Sequence, residues 1–323
     1  MNQRRLLTRV TGLVIVMFFL SGLSGWAAEK YPRRPITFVI PMEPGSFTDS
    51  NGRPLADLMQ KELGQPMMVV NKPGAAGTIG LRDVQAAKPD GYTIGLMNTA
   101  HYAKLMGLVP FDHHDLTVIG VPSGGVPTIL CAAERPWKTV KELAEYAKSR
   151  PGEVKAAVVS KGGYWWLSAK AFERAAGLKL NMLVQPGGGA MVVTQVAGGH
   201  VDMGVCGLPE SSSQARSGTL RYLAMFSRQR IQGYEQVPTL VESGFNIEVV
   251  AVLSLVAPKD LPKPIYEALV QAFEKVVKNK SYQDTIAQMG GIVPGMTREK
   301  AVKYLDDQVE VLKPVLQESG LMK

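Results

Sequence analysis

Ile36-Thr37-Phe38-Val39-Ile40-Pro41-Met42-Glu43-Pro44-Gly45-Ser46-Phe47-Thr48-Asp49-Ser50 decides the fold class. An apolar, β-branched run feeds a turn rich in proline and glycine. Beyond it Leu55, Leu58, Met59 and Leu63 recur at helical spacing. Thr48 or Asp49 is expected to cap that helix. The same parts return in Met67-Met68-Val69-Val70, the turn Asn71-Lys72-Pro73-Gly74-Ala75-Ala76-Gly77 and the stretch from Thr78-Ile79-Gly80. Two strand–turn–helix units in succession predict parallel neighbouring strands joined by right-handed crossovers, which puts both turns on one sheet edge. Each turn then offers unpaired backbone N–H groups and the positive end of a helix to one small volume. That volume suits an anion, a carboxylate or a phosphate.

Outward from this core the chain keeps alternating strands and helices, which predicts an α/β fold. Tyr92 to Met97 reads as a third strand, with Asn98, Thr99 and His101 following at the same edge. Val118 to Val121 and Thr128 to Cys131 are further strands. Thr139, with Glu142 three residues on, marks a helix start. In the second half, strand 154–160 leads into Lys161-Gly162-Gly163 and a helix from Tyr164 to Ala176. Strand 180–185 leads into Pro186-Gly187-Gly188-Gly189 and another helix, and strand 201–206 ends at Cys206-Gly207. The last helices, 265–278, 282–289 and 298–319, carry no glycine turn and read as cover for the first domain.

The amino terminus has a separate meaning. Arg4, Arg5 and Arg9 precede an apolar stretch from Val10 to Leu20, and Gly25 and Ala27 sit at suitable positions before a cleavage point after Ala27. This is the pattern of a signal peptide over residues 1–27. The stretch is shorter than the roughly 20 residues a membrane span needs, so a soluble mature chain outside the cytoplasm is expected. Without those three arginines the balance is 33 basic against 28 acidic residues. No basic run is interleaved with aromatics, which argues against nucleic acid. The two cysteines, Cys131 and Cys206, form one bridge or remain two buried thiols.

The ordered landmarks resemble the periplasmic substrate-binding receptors of tripartite tricarboxylate transporters, the Bug receptors. They are Tyr31-Pro32, Pro41-x-x-Pro44-Gly45 with Thr48-Asp49 and Arg53, Leu63-Gly64-Gln65-Pro66, and Asn71-Lys72-Pro73-Gly74-Ala75-x-Gly77-x-Ile79-Gly80. Pro89-Asp90-Gly91-Tyr92, Gly198-Gly199-His200-Val201-Asp202, Pro238-Thr239 with Glu242-x-Gly244, and Ala257-Pro258 complete the set. The resemblance implies a two-lobed periplasmic binding protein-like fold, each lobe a mostly parallel sheet flanked by helices, with the ligand in the cleft. Residues 28–130 and 250–323 would form the first lobe and 131–249 the second, with crossings near Leu130 and Val250. It further implies a small carboxylate ligand (a di-, tri- or aromatic carboxylate, or an amino acid), partner membrane subunits, a monomer and no cofactor. One carboxylate would rest on the loops Gly45 to Asp49 and Ala75 to Thr78.

The chain departs from the family pattern at three places. Gly45-Ser46-Phe47 replaces a run of small residues, so Phe47 adds an aromatic wall. Glu43 beside a carboxylate-binding loop is repulsive unless it points outward or meets a cationic group of the ligand. The family's tryptophan near the second crossing is absent. Candidate ligand contacts are Gly45, Ser46, Phe47, Thr48, Asp49, Ala75, Ala76, Gly77, Thr78, Asn98, Thr99, Lys161, Gly162, Gly163, Tyr164, Gly188 and Cys206. Of Tyr164-Trp165-Trp166 only one can face the cleft, since adjacent helical residues diverge by about 100°; the other two belong in the core. Zinc-type spacings, a Gly-x-Ser-x-Gly elbow and a Walker loop are all missing from the sequence. These absences argue against a secreted hydrolase or transferase; a transport receptor and an extracytoplasmic sensor are both expected readings, which the sequence does not separate.

Overall fold

A computed structural model describes residues 31–185 and 188–323. The expected signal peptide over residues 1–27, and Pro186 and Gly187 of the expected glycine turn, lie outside them. The chain begins with β1 (Ile36–Ile40), α1 (Phe47–Leu63), β2 (Met67–Asn71), a short 3-10 turn (Ala75–Gly77), α2 (Thr78–Gln85) and β3 (Thr93–Met97). β1 pairs in parallel with both β2 and β3, so the two glycine turns do share one edge. β4 (Leu116–Gly125) then completes the first pass through a seven-stranded sheet.

One residue later the chain enters a second, five-stranded sheet. Its parts are β5 (Pro127–Ala132), α3 (Val140–Lys148), β6 (Lys155–Val159), α4 (Tyr164–Ala176), β7 (Asn181–Gln185), α5 (Gly188–Ala197), β8 (Met203–Gly207), α6 (Leu208–Arg216) and β9 (Leu220–Met225). β10 (Ala251–Pro258) brings the chain back to the first sheet. It is followed by α7 (Lys263–Lys278), α8 (Lys280–Gln288), the short strands β11 (Gly291–Ile292) and β12 (Met296–Thr297), and α9 (Arg298–Glu318). The outward crossing is at Val126, a few residues before Leu130, because β4 runs unbroken to Gly125. Among the described residues no helix is long and apolar enough to cross a membrane.

The sheets are mixed rather than mostly parallel. Strand order is β11-β4-β10-β3-β1-β2 in the first and β7-β6-β8-β5-β9 in the second. Parallel pairing is confined to strands joined by strand–turn–helix units, β1 with β2 and β3, and β6 with β7 and β8. The strands that carry the chain between sheets, β4, β5 and β10, pair antiparallel.

Each sheet buries both faces. In the first, Phe38, Ile94, Leu255 and Phe273 form one core layer and Val39, Leu81, Val118 and Leu305 the other. In the second, Ile129, Val158 and Phe172 lie on one face and Leu130, Ala157 and Val192 on the opposite one. The final helix does not cover the first lobe alone. Ala301 and Leu305 of α9 pack in the first lobe, whereas Leu312, Val315 and Leu316 belong to the second-lobe core. A 21-residue helix is about 30 Å long, enough to bridge both.

Cys131 and Cys206 are free and buried. They project from opposite faces of the second sheet, Cys131 into the layer with Ile129 and Cys206 into the layer with Leu130. A bridge would have to pass through the sheet.

Candidate ligand-binding site between the lobes

The first glycine turn is locked from inside its own helix. Ser46, rather than Thr48 or Asp49, caps α1: its Oγ accepts the Asp49 N–H at 3.2 Å. Asp49 in return accepts the Gly45 N–H at 2.8 Å. The Asp49 carboxylate also takes Arg53 Nε at 2.9 Å and Asn71 Nδ2 at 2.8 Å, and Asn71 Nδ2 reaches the Met42 carbonyl at 2.9 Å. Asp49 is thus fully engaged in holding the loop. Ser50 N–H donates to the Ser46 carbonyl. The N–H groups of Phe47 and Thr48 have no acceptor among the described residues, as expected for the first turn of a helix. Glu43 is exposed and turned outward.

The second turn is strained. Ala75 and Ala76 hold φ of 46° and 56°, left-handed values that disfavour side chains, and Gly77 follows at 90°. Such strain persists where the surroundings enforce it. Thr78 Oγ1 donates to the Ala75 carbonyl, and a Cβ at Gly80 would stand 3.0 Å from Pro41 Cα. A Cβ at Gly77 would meet Asn98 Oδ1 at 3.0 Å. The two turns and the end of β3 therefore form one edge. Asn98 Oδ1 and the buried Thr99 Oγ1 have no partner among the described residues.

Between the lobes lies a cavity of about 230 Å³. Gly45, Phe47, Ser50, Asn51 and Gly125 line it from the first lobe; Trp165, Gly207 and Glu210 line it from the second. Met289 and Gly290 close it. The Phe47 and Trp165 rings meet edge to face, with centroids 6.4 Å apart. Gly125 is needed for that contact, since a Cβ there would lie 2.7 Å from the Phe47 ring. Three wider grooves open elsewhere on the surface. Only the small cavity joins a glycine turn, open helix amides and an aromatic pair.

Of the expected contacts, the structure brings Gly45 and Phe47 to this cavity. Thr48 and Asp49 are buried beneath it, and Ser46 spends its hydroxyl on the cap. Ala75, Ala76, Gly77, Thr78, Asn98 and Thr99 lie along the adjoining edge rather than in the lining. On the second lobe Lys161 is exposed, Gly162 packs toward Met106, and Gly163 caps α4. Gly188 opens α5, and Cys206 is buried in the core behind the lining residue Gly207. Tyr164 and Trp166 are buried, which leaves Trp165 as the member of its triplet at the cavity. Tyr164 shares a buried hydrogen bond of 2.7 Å with His101 Nε2 across the lobes.

Asn51 and Glu210 were not anticipated. Asn51 is 1% exposed; its Nδ2 donates to the Phe47 carbonyl at 2.8 Å and its Oδ1 has no partner among the described residues. Its signal in sequence is only a polar residue on the apolar side of α1. Glu210 stands in the first turn of α6, where Pro209 marked a helix start. Elsewhere, Asp112, His113 and His114 are close enough to share a metal ion. Both histidines already point Nε2 at Asp306 Oδ1, 2.9 Å from each, and Asp112 accepts Lys104 and the His114 amide.

The family model described as the tripartite tricarboxylate transporter family receptor matches residues 52–321. The chain is 29% identical to Protein BugT of Bordetella pertussis over 97% of its own length and 98% of that protein's. A TctC solute-binding protein from Polaromonas shares its structure with a TM-score of 0.77 at 31% identity, over 90% of this chain and 98% of that one. MatC from Rhodopseudomonas palustris, solved with malate bound, has the same fold at a TM-score of 0.72 and 23% identity, over 88% of this chain and 100% of that one. The chain belongs to the tripartite tricarboxylate transporter receptor family.

Proposed function

We propose that the protein captures a small carboxylate outside the cytoplasm and hands it to the membrane subunits of a tripartite transporter, without chemical turnover. The observation that carries this reading is the first turn of α1: two backbone N–H groups without acceptors, at Phe47 and Thr48, beside a cavity walled by Phe47 and Trp165. A helix end contributes about 0.3–1 kcal/mol toward an anion, up to ~2 when partly buried. Micromolar affinity needs roughly 8 kcal/mol. Direct hydrogen bonds and second-lobe contacts must supply most of the difference, which makes binding depend on the lobes meeting. The strained Ala75–Gly77 turn and the Asn98 amide stand at the cavity's edge and would contribute further contacts. The malate carried by MatC is a ligand of the same chemistry.

A thermal-shift and calorimetric screen of mono-, di- and aromatic carboxylates tests this. Binding should stabilise the protein, and Ser50→Trp, which fills the cavity from a half-buried position, should remove it without unfolding the chain. Product formation from a bound carboxylate, or full affinity in Ser50→Trp, would contradict it.

A further inference from the structure

Among the described residues, Glu210 is the only ionisable side chain lining the cavity. No arginine or lysine faces it from the opposite wall; Arg53 is committed to Asp49 and Asn71, and Lys161 is not among the lining residues. The Glu210 carboxylate folds back on the second lobe. A Cβ at Gly207 would stand 2.5 Å from its Oε2, and one at Gly189 would stand 2.7 Å from its Oε1. It therefore occupies the positive end of α6, the place where a second anion would otherwise be held. Desolvation raises its pKa, against a hydrogen bond from its own backbone amide that lowers it.

The other polar side chains of the lining, Ser50 and Asn51, are uncharged. Asn51 Oδ1 is a buried acceptor without a donor. Phe47 and Trp165 add aromatic rings to the lining, and ring faces attract cations. The cavity thus sets a first-lobe wall that carries the α1 amides against a second-lobe wall that carries Glu210. A dicarboxylate would set its far carboxylate against Glu210. A protonated nitrogen there would meet an opposite charge in the Glu210 carboxylate.

We propose that Glu210 sets the ligand class of this receptor: a monocarboxylate bearing a protonated amine at its far end, in place of a second carboxylate. This rests on the carboxylate-capture reading above. The test is calorimetry on the mature chain with shape-matched pairs, 4-aminobutanoate against glutarate and 4-(aminomethyl)benzoate against terephthalate. The amine-bearing member of a pair should bind at least about tenfold tighter. Glu210→Gln should shrink that ratio to near one, and Glu210→Lys should reverse it, with melting temperatures confirming that both variants fold.

Tighter wild-type binding of the dicarboxylates, or a ratio unchanged in both variants, overturns the proposal while leaving carboxylate capture intact. If no member of either pair binds, and neither does any carboxylate of the wider screen, the capture reading fails and the proposal fails with it.

Discussion

The Asp49 carboxylate accepts the Gly45 amide at 2.8 Å, so the loop proposed to receive the ligand is held by a residue four positions further along the chain. Desolvation alone would raise the pKa of this carboxyl. Hydrogen bonds from Arg53, Asn71 and Gly45 outweigh it and hold the group below its ordinary value of 3.8. Asp49→Asn should cost roughly 1.5–3 kcal/mol of stability, the range for hydrogen bonds to a charged group. It should also weaken carboxylate binding by loosening the Phe47 and Thr48 amides. Because the folded pKa is depressed, this stabilisation is complete above the unfolded value and is lost as pH falls through the folded one. Denaturation of both proteins across acid pH should show their difference in stability shrinking.

Phe47 and Trp165 meet across the lobes, and their pairing gives the cavity its aromatic character. Aromatic pairs contribute about 0.5–1.5 kcal/mol beyond burial, equivalent to about a two- to tenfold change in affinity. Trp165→Ala should therefore reduce affinity for ring-bearing carboxylates more than for linear ones. Titration of both ligand types separates this from general damage, which would weaken both equally.

The buried His101–Tyr164 hydrogen bond joins the lobes outside the cavity. Burial pushes the His101 imidazole from 6.5 down to about 3, with the neighbouring His113 adding to the shift. The unfolded chain then binds a proton below about pH 6.5 that the folded chain does not. Stability falls as pH drops from 6.5 toward 3, with a slope approaching about 1.4 kcal/mol per pH unit. His113, also pushed down by burial, steepens the fall. His101→Gln should flatten the slope between pH 7.5 and 5 in urea denaturation; parallel curves would contradict the assignment.

Burial pushes the Cys131 thiol up to about 11 and raises that of Cys206 as well. A thiol reagent should titrate neither in the native protein and two per chain after denaturation. Oxidant should produce no intramolecular bridge, since the sheet separates them.

Much of this was legible because it is local. The β1–α1 and β2–α2 units, the Thr139 cap and the helix from Tyr164 are set by proline, glycine and capping residues within a few positions of each other. Thr139 Oγ1 does accept the Glu142 amide, as its spacing implied. Even locally, Ser46 took the cap from Asp49, because Asp49 was drawn off by Gly45, Arg53 and Asn71, the last 22 residues away. Less was legible of the cavity. Glu210, Gly125 and Gly290 reach it from separate elements, and their meeting follows from sheet order, which no short motif encodes. The lack of a glycine turn before α9 marked it as a packing helix without revealing that it serves two cores.

The most direct measurement is a crystal structure with the tightest carboxylate from the screen. The account predicts a carboxylate oxygen within hydrogen-bond distance of the Phe47 and Thr48 amides, and the rest of the molecule against Trp165. A ligand bound in one of the wider surface grooves, making no contact with those amides, would contradict it.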